Sequence, residues 1–73
     1  MDQEVNTLQV VFKTIMAVPF GKAVYLIGNT FDLGEWEITK AIRLKYYPQN
    51  NWVTKVRMPI GTKLEYKYFV SDY

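Results

Sequence analysis

The sequence predicts a small all-β protein, an antiparallel β-sandwich, and three observations support this prediction. Five segments either alternate apolar and polar side chains or are rich in β-branched and aromatic residues, as strands are. Short clusters of proline, glycine and asparagine separate most of them. No stretch shows the apolar spacing of a convincing helix. With 73 residues the chain is long enough for one domain, residues 1–73.

The five predicted strands are residues 8–15, 23–27, 41–47, 52–58 and 64–70. The second is wholly apolar, which is typical of a central strand covered on both faces. In the fourth, Trp52 alternates in phase with Val56, so Trp52 is predicted to lie in the core. In the last, alternation points Tyr66 inward, along with Leu64 and Tyr68, and points Glu65, Lys67 and Phe69 outward.

Residues 30–40 have no period of two and are predicted to form a long loop. Within it, Trp36 stands between Glu35 and Glu37. Because ionised carboxylates resist burial, we expect the indole to be partly exposed on a loop held by a rigid sheet. Such a flat ring suits the apolar face of a sugar. The alternative is that Trp36 folds back as a lid on a small core, and residue type alone weights the two interpretations equally.

Composition excludes several kinds of chemistry. The chain has no cysteine and no histidine. This rules out thiol nucleophiles, disulfides, zinc sites of the usual Cys/His type and a Ser-His-Asp triad. We therefore expect no cofactor and no metal. The net charge is only +2, and the basic residues after Thr39 alternate with apolar ones. That alternation is typical of the solvent face of a strand rather than of a nucleic-acid site.

The chain also lacks the sequence marks of membrane insertion or export. No apolar run approaches the ~20 residues that span a bilayer. The first four residues lack the basic-then-apolar order of a signal peptide, and no Asn-X-Ser/Thr sequon is present. We predict a cytoplasmic location and no membrane partner.

An ordered set of motifs runs through most of the chain, from about residue 10 to residue 68. The set comprises Val24-Tyr25-Leu26-Ile27-Gly28-Asn29, Leu33-Gly34-Glu35-Trp36-Glu37, Ala41, Trp52, Pro59-Ile60-Gly61 and Leu64-Glu65-Tyr66-Lys67-Tyr68. In this order and spacing it resembles the starch-binding domain, family 20 of the carbohydrate-binding modules.

The resemblance implies an immunoglobulin-like β-sandwich with two glucan sites. In the first site, Trp36 matches the tryptophan that stacks on glucose, and Lys67 matches a lysine that hydrogen-bonds sugar hydroxyls. By alternation Glu65 lies on the same face as Lys67 and could either orient Lys67 or accept from a hydroxyl, and Glu37 is assigned to the same site. Without the resemblance, we would interpret Lys67 as an ordinary charged residue of an edge strand. The second site would use the aromatic side chains Phe20, Tyr46 and Tyr47, although either tyrosine could equally be a packing residue.

The sequence departs from the family pattern in one respect. The family's first site has a second tryptophan on a strand after the lysine, and this sequence ends before that point. The predicted last strand also lacks a returning partner, which would leave an exposed edge. We therefore expect a domain truncated at its C-terminus. Stacking on one ring instead of two would weaken binding by about 1–2 kcal/mol.

The predicted function is non-catalytic binding of an α-glucan such as starch or glycogen, or of a malto-oligosaccharide, which would tether an attached protein to polysaccharide. The attached protein could be a hydrolase, glucanotransferase, phosphatase or phosphodiesterase. Glycoside hydrolysis by Glu35 and Glu37 is not expected, because a small sandwich offers little cleft to exclude water. Two alternatives are a protein-interaction domain and a single-strand nucleic-acid binder that stacks bases on Tyr66, Tyr68 and Phe69; we predict no nucleic-acid partner.

Overall fold

The computed structural model describes residues 6–73, and within them the chain forms six β-strands and no α-helix. These residues include no helix of the length and hydropathy that a membrane span requires. The strands form two three-stranded antiparallel sheets, β1-β5-β4 and β3-β2-β6. This confirms the predicted small antiparallel β-sandwich. The strands are β1 Thr7–Ile15, β2 Lys22–Gly28, β3 Ile42–Arg43, β4 Lys45–Tyr47, β5 Asn51–Pro59 and β6 Tyr66–Asp72.

The core lies between the two sheets and is centred on β2. Val24 and Leu26 are completely buried, and so is Ala23 on the other face of the strand, as its apolar sequence predicts. Phe12 of β1 and Trp52 of β5 pack into the same cluster. The prediction that Trp52 is a core residue is confirmed: it is buried, and the cost of burying its polar N–H is offset by a hydrogen bond to a main-chain carbonyl.

The predicted strand 41–47 is wrong in one respect, since it is two strands that belong to different sheets. Ile42–Arg43 pairs with β2, whereas Lys45–Tyr47 pairs with β5. Leu44 lies between them, buried in the core, and its backbone N–H donates to the carbonyl of Val24 at 2.9 Å. Alternation continues through Leu44, so the sequence pattern does not reveal the change of sheet.

The last strand, β6, begins two residues later than predicted and lies at the edge of its sheet among the described residues. Tyr66 was predicted to point inward, but 46% of it is exposed. Its ring packs edge-on against Phe12, with 5.1 Å between centroids, at the open side between β1 and β6. Phe69 points away from the core as predicted, yet it stacks on Tyr25 of the neighbouring strand at 5.4 Å.

A tight turn over residues 19–22 connects to β2. Gly21 has a φ of 91°, and the Lys22 N–H donates to the Pro19 carbonyl at 3.1 Å. A turn of this kind needs a residue with positive φ at its third position, which glycine supplies without strain. Phe20 occupies the second position, at the tip of the turn, and its side chain is fully exposed.

Leu44 and Leu8 provide a matched test of this core. Leu44→Ala should lower the free energy of unfolding by about 2–5 kcal/mol, because it leaves a cavity beneath the crossover between sheets. Leu8 is 51% exposed, and Leu8→Ala should cost about 1 kcal/mol or less. Urea denaturation followed by tryptophan fluorescence measures both. Equal losses would contradict the assignment of Leu44 as the pivot between sheets.

Candidate functional site

Trp36 lies on the loop between β2 and β3 with 44% of its surface exposed. Its backbone N–H donates to the carbonyl of Gly28, the last residue of β2, at 2.9 Å. Both Trp36 and the preceding Glu35 have left-handed backbone conformations, with φ values of 64° and 49°. Such values are uncommon for residues other than glycine and are concentrated at functional sites. The loop therefore holds the indole at the surface in a fixed and mildly strained conformation.

The first part of the same loop anchors it to the core. Thr30 caps a short 3-10 turn, Phe31–Leu33, by accepting a hydrogen bond from the Leu33 N–H at 3.2 Å. The Leu33 side chain is completely buried. Gly34 follows with a φ of 87°, and its carbonyl accepts a hydrogen bond from the Glu37 N–H at 2.8 Å. Because both ends of the turn are fixed, Trp36 is presented from a rigid base.

Asn29 joins this loop to the segment that leads into β6. Its side-chain oxygen accepts a hydrogen bond from the Glu65 N–H at 2.9 Å, and its side-chain amide donates to the Lys63 carbonyl at 3.1 Å. The Asn29 N–H also donates to the Glu65 carbonyl at 3.0 Å. We call these three hydrogen bonds the Asn29 clamp. The clamp fixes the start of β6 beside the Trp36 loop.

The result is an open pocket of about 650 Å³, which we call the Trp36 pocket. It combines an aromatic face with both apolar and charged groups. The Lys67 ammonium provides three hydrogen-bond donors, and the Glu65 carboxylate provides acceptors. These are the groups needed to bind a molecule that has one apolar face and a rim of hydroxyls. The residues lining it are Trp36, Leu64, Glu65, Tyr66 and Lys67.

A second pocket, of about 610 Å³, surrounds the exposed Phe20 and is called the Phe20 pocket. Tyr46 forms part of its wall and packs edge-on against the buried Trp52, with 5.0 Å between ring centroids. The Tyr46 hydroxyl accepts a hydrogen bond from the Asn50 N–H at 3.4 Å. Tyr73 lines the same pocket. The pocket therefore presents three aromatic side chains, each at least half exposed.

One ion pair borders the Phe20 pocket. The Lys22 ammonium donates to the Asp72 carboxylate at 2.7 Å. This hydrogen bond, together with the positive charge, lowers the pKa of Asp72 below its ordinary value. The charge of Lys22 is thus already partnered within the protein.

The two pockets lie at opposite ends of the pairing between β2 and β6. Gly28 is opposite Tyr66 at the end next to the Trp36 pocket, and Lys22 is opposite Asp72 at the end next to the Phe20 pocket. A seven-residue strand spans roughly 20 Å at about 3.3 Å per residue. A short oligosaccharide therefore cannot occupy both pockets at once.

The structure groups most, but not all, of the sequence-predicted site residues. Trp36, Glu65 and Lys67 share one pocket, and Phe20 and Tyr46 share the other. Two residues lie apart from these groups. The Glu37 carboxylate pairs with Lys40 at 3.2 Å, and Glu37 lines neither pocket. Tyr47 lies in a separate shallow depression with Lys45, Val53, Thr54 and Lys55.

Sequence reasoning missed two aromatic lining residues. Tyr66 was predicted to point inward, and its ring does pack on Phe12, but it also lines the Trp36 pocket because β6 is an edge strand. Tyr73 follows the last strand, where alternation gives no information. Its N–H donates to the Gly21 carbonyl at 3.0 Å, and this contact brings it beside Phe20. The turn at Gly21 was visible in the sequence, but its distant partner was not.

A β-sandwich that presents aromatic rings in open pockets, beside side chains able to bind hydroxyls, has the features of a sugar-binding module. Comparison with known proteins identifies which one. The starch-binding domain family matches residues 7–73, and the chain belongs to that family. This confirms the resemblance noted in the sequence and, with it, the assignment to a non-catalytic class of binding domain.

Several curated proteins share this stretch of sequence. A cyclomaltodextrin glucanotransferase of Paenibacillus macerans is 42% identical over 55 residues, covering 67% of this chain and 7% of the relative. An α-amylase of Streptomyces violaceus is 33% identical over 61 residues, covering 84% of this chain and 11% of the relative. A family AA13 lytic polysaccharide monooxygenase of Aspergillus terreus is 30% identical over 73 residues, covering 94% of this chain and 18% of the relative. The chain thus spans a small fraction of each of these relatives.

Gly28 tests how closely the loop and β6 must approach. A Cβ added there would lie 2.6 Å from the Glu65 carbonyl oxygen and 2.6 Å from Leu33 Cδ1. Gly28→Ala should therefore lower the free energy of unfolding by about 1–3 kcal/mol and displace the Asn29 clamp. Amide hydrogen exchange at Asn29 and Glu65, together with urea denaturation, measures both effects.

Gly61→Ala is the control, because the added methyl group meets open space and only its φ of 88° is unfavourable. That variant should lose about 1 kcal/mol and leave exchange at the clamp unchanged. Unchanged clamp protection in Gly28→Ala would show that the close approach does not position the site.

Proposed function

We propose that this domain binds α-linked glucan chains, as starch, glycogen or malto-oligosaccharide, and does not transform them. The observation that carries the proposal is the half-exposed indole of Trp36, which shares a pocket with Lys67 and Glu65. Membership of the starch-binding domain family supports the same ligand class.

The physical basis is the two-faced character of a glucose ring. Its C–H groups form an apolar face, and a rigid aromatic ring covers that face at little cost in conformational entropy. Trp36 needs no rearrangement for this role, because the Gly28 hydrogen bond and the anchored turn already hold it at the surface. Binding to a preformed surface avoids the cost of ordering a loop.

The hydroxyl rim of the sugar would be bound by the charged residues of β6. The Lys67 ammonium donates hydrogen bonds and the Glu65 carboxylate accepts them. Hydrogen bonds to charged groups contribute about 1.5–3 kcal/mol each when shielded and less at an exposed surface. Because the ligand is neutral, its affinity should change little with salt.

The Phe20 pocket is proposed as a second glucan contact, formed by Phe20, Tyr46 and Tyr73. Its position at the far end of β2 means that the two pockets bind separate chains or distant parts of one chain. On a polysaccharide surface, binding of one pocket holds the other at a high effective concentration near neighbouring glucan chains. The two weak contacts together therefore bind more tightly than either alone.

The domain would tether an attached catalytic region to its polysaccharide. The relatives that share this domain include a cyclomaltodextrin glucanotransferase and an α-amylase. A starch-acting enzyme is therefore the attached region that we propose. A phosphatase or phosphodiesterase gains no support from the named relatives, and the cytoplasmic location stays a prediction.

Nucleic-acid binding is the rival function, and dependence on salt separates the two. A site that neutralises phosphates loses affinity steeply as salt rises, whereas binding through neutral hydroxyls does not. Among residues 6–73, the lysine and arginine residues are spread over both sheets and do not form a single basic stripe. The arrangement around Trp36, with a carboxylate in the pocket, favours a neutral sugar.

In a background of Phe20→Ala/Tyr46→Ala, which removes the second pocket, Trp36→Ala should weaken binding of maltoheptaose about five- to thirtyfold, because about 1–2 kcal/mol of stacking is lost. Phe31→Ala is the matched control, since Phe31 is exposed on the same loop but lines neither pocket. Titration calorimetry measures the affinity, and circular dichroism checks folding. Unchanged affinity in a folded Trp36→Ala variant would refute the role of the indole.

Two pockets also predict a stoichiometry. Wild type should bind two maltotriose molecules per chain, and the double variant Phe20→Ala/Tyr46→Ala should bind one. On insoluble starch, the double variant should bind more weakly by an order of magnitude or more, because the joint contact is lost. A stoichiometry of one in the wild type would remove the second contact from the proposal.

A further inference from the structure

A narrower cleft adjoins the Phe20 pocket and contains groups that the binding of a neutral glucan does not need. Its volume is about 450 Å³, and it shares Tyr46, Trp52 and Tyr73 with that pocket. The two spaces are therefore continuous along one surface. Its other lining residues are Arg43, Leu44 and Lys45.

Arg43 and Lys45 both line this cleft, and the Lys45 ammonium lies at its border with the neighbouring depression, 5.6 Å from the centroid of the Tyr47 ring. They flank the buried Leu44 at the crossover from β3 to β4, and both are exposed. The ion pairs among the described residues are Lys22 with Asp72 and Lys40 with Glu37, so neither Arg43 nor Lys45 is paired with a carboxylate there. The side-chain carboxylate of Asp72, the residue before Tyr73, already accepts from Lys22.

The Arg43 guanidinium is held in place by an aromatic ring. Its central carbon lies 4.2 Å above the centroid of the Tyr73 ring, which is cation–π distance. Tyr73 is in turn fixed by its backbone hydrogen bond to Gly21. Stacking occupies one face of the guanidinium and leaves its N–H edge available. A planar N–H edge suits the two oxygens of a phosphoryl or carboxylate group.

We propose that this cleft binds an anionic substituent, a phosphoryl ester, carried by a glucan whose sugar ring lies in the neighbouring Phe20 pocket. The inference rests on the proposed glucan binding and adds a preference among glucans. Arg43 would contact the phosphoryl oxygens through its N–H edge, and Lys45 would add charge. A neutral glucan offers no anionic group to Arg43 and Lys45. A phosphate ester would place one next to the aromatic residues that the cleft shares with the Phe20 pocket.

The test compares maltoheptaose with maltoheptaose that carries one glucose 6-phosphate unit, titrated into the whole chain. At low salt the phosphorylated probe should bind roughly fivefold more tightly, as expected for a charge-assisted contact at an exposed site. The difference should shrink towards none in about 0.5 M salt, where charges are screened beyond a few ångströms. Unmodified maltoheptaose should show little salt dependence.

Three substitutions assign the effect to the cleft. Arg43→Gln should remove the preference for the phosphorylated probe, and Lys45→Gln should reduce it while leaving the stacked Arg43 in place. Lys13→Gln is the charge-matched control, because Lys13 is exposed on β1 at the opposite edge of its sheet. This variant should keep the full preference.

Equal affinity of the wild type for the two probes would overturn the inference and leave the glucan proposal intact. A preference that survives both Arg43→Gln and Lys45→Gln would also overturn it. Failure of both probes to bind the wild type would instead refute glucan binding itself. A single-stranded oligothymidylate that binds more tightly than the phosphorylated probe and is weakened by Arg43→Gln would assign the cleft to nucleic acid, contrary to the inference.

Discussion

The Asn29 side chain makes the hydrogen bonds on which the candidate site depends. One of its atoms accepts from Glu65 and the other donates to Lys63, so a single side chain joins the end of β2 to the approach of β6. Trp36 and Lys67 lie far apart in the sequence and share a pocket because this junction exists. An amide side chain suits the position because it offers a donor and an acceptor together.

Rigidity at this junction has a functional consequence. The close approach at Gly28 leaves no space for a side chain, and the Gly28 carbonyl accepts the hydrogen bond from Trp36, which like Glu35 has a left-handed conformation. Strain of this kind persists only where the surrounding structure enforces it. The buried Leu33 and the completely buried centre of β2 supply that enforcement. The core thus acts mainly as a platform for a few exposed rings.

Much of the fold could be predicted from the sequence because alternation and turn residues report burial directly. The doubly covered β2 and the buried Trp52 are examples. The change of sheet at Leu44 could not be predicted, since a buried leucine fits the alternation whichever sheet its neighbours join. The exposure of Tyr66 could not be predicted for a related reason: alternation gives the direction of a side chain but not whether its strand lies at an edge.

The site was predictable to the extent that local sequence controls exposure. The glutamates beside Trp36 pointed to a partly exposed indole. Glu37 pairs with Lys40, only three residues away, and so is not available to the site, whereas nothing local indicated that Tyr73 would meet Phe20. The most direct test follows the indole N–H resonances of Trp36 and Trp52, the two tryptophans of the chain, during titration with maltoheptaose. In the Phe20→Ala/Tyr46→Ala variant only the Trp36 pocket should bind the sugar. In that variant the Trp36 resonance should shift and reach saturation during the titration, while the Trp52 resonance should not shift. A stationary Trp36 resonance in a sample that still binds the sugar would contradict the account.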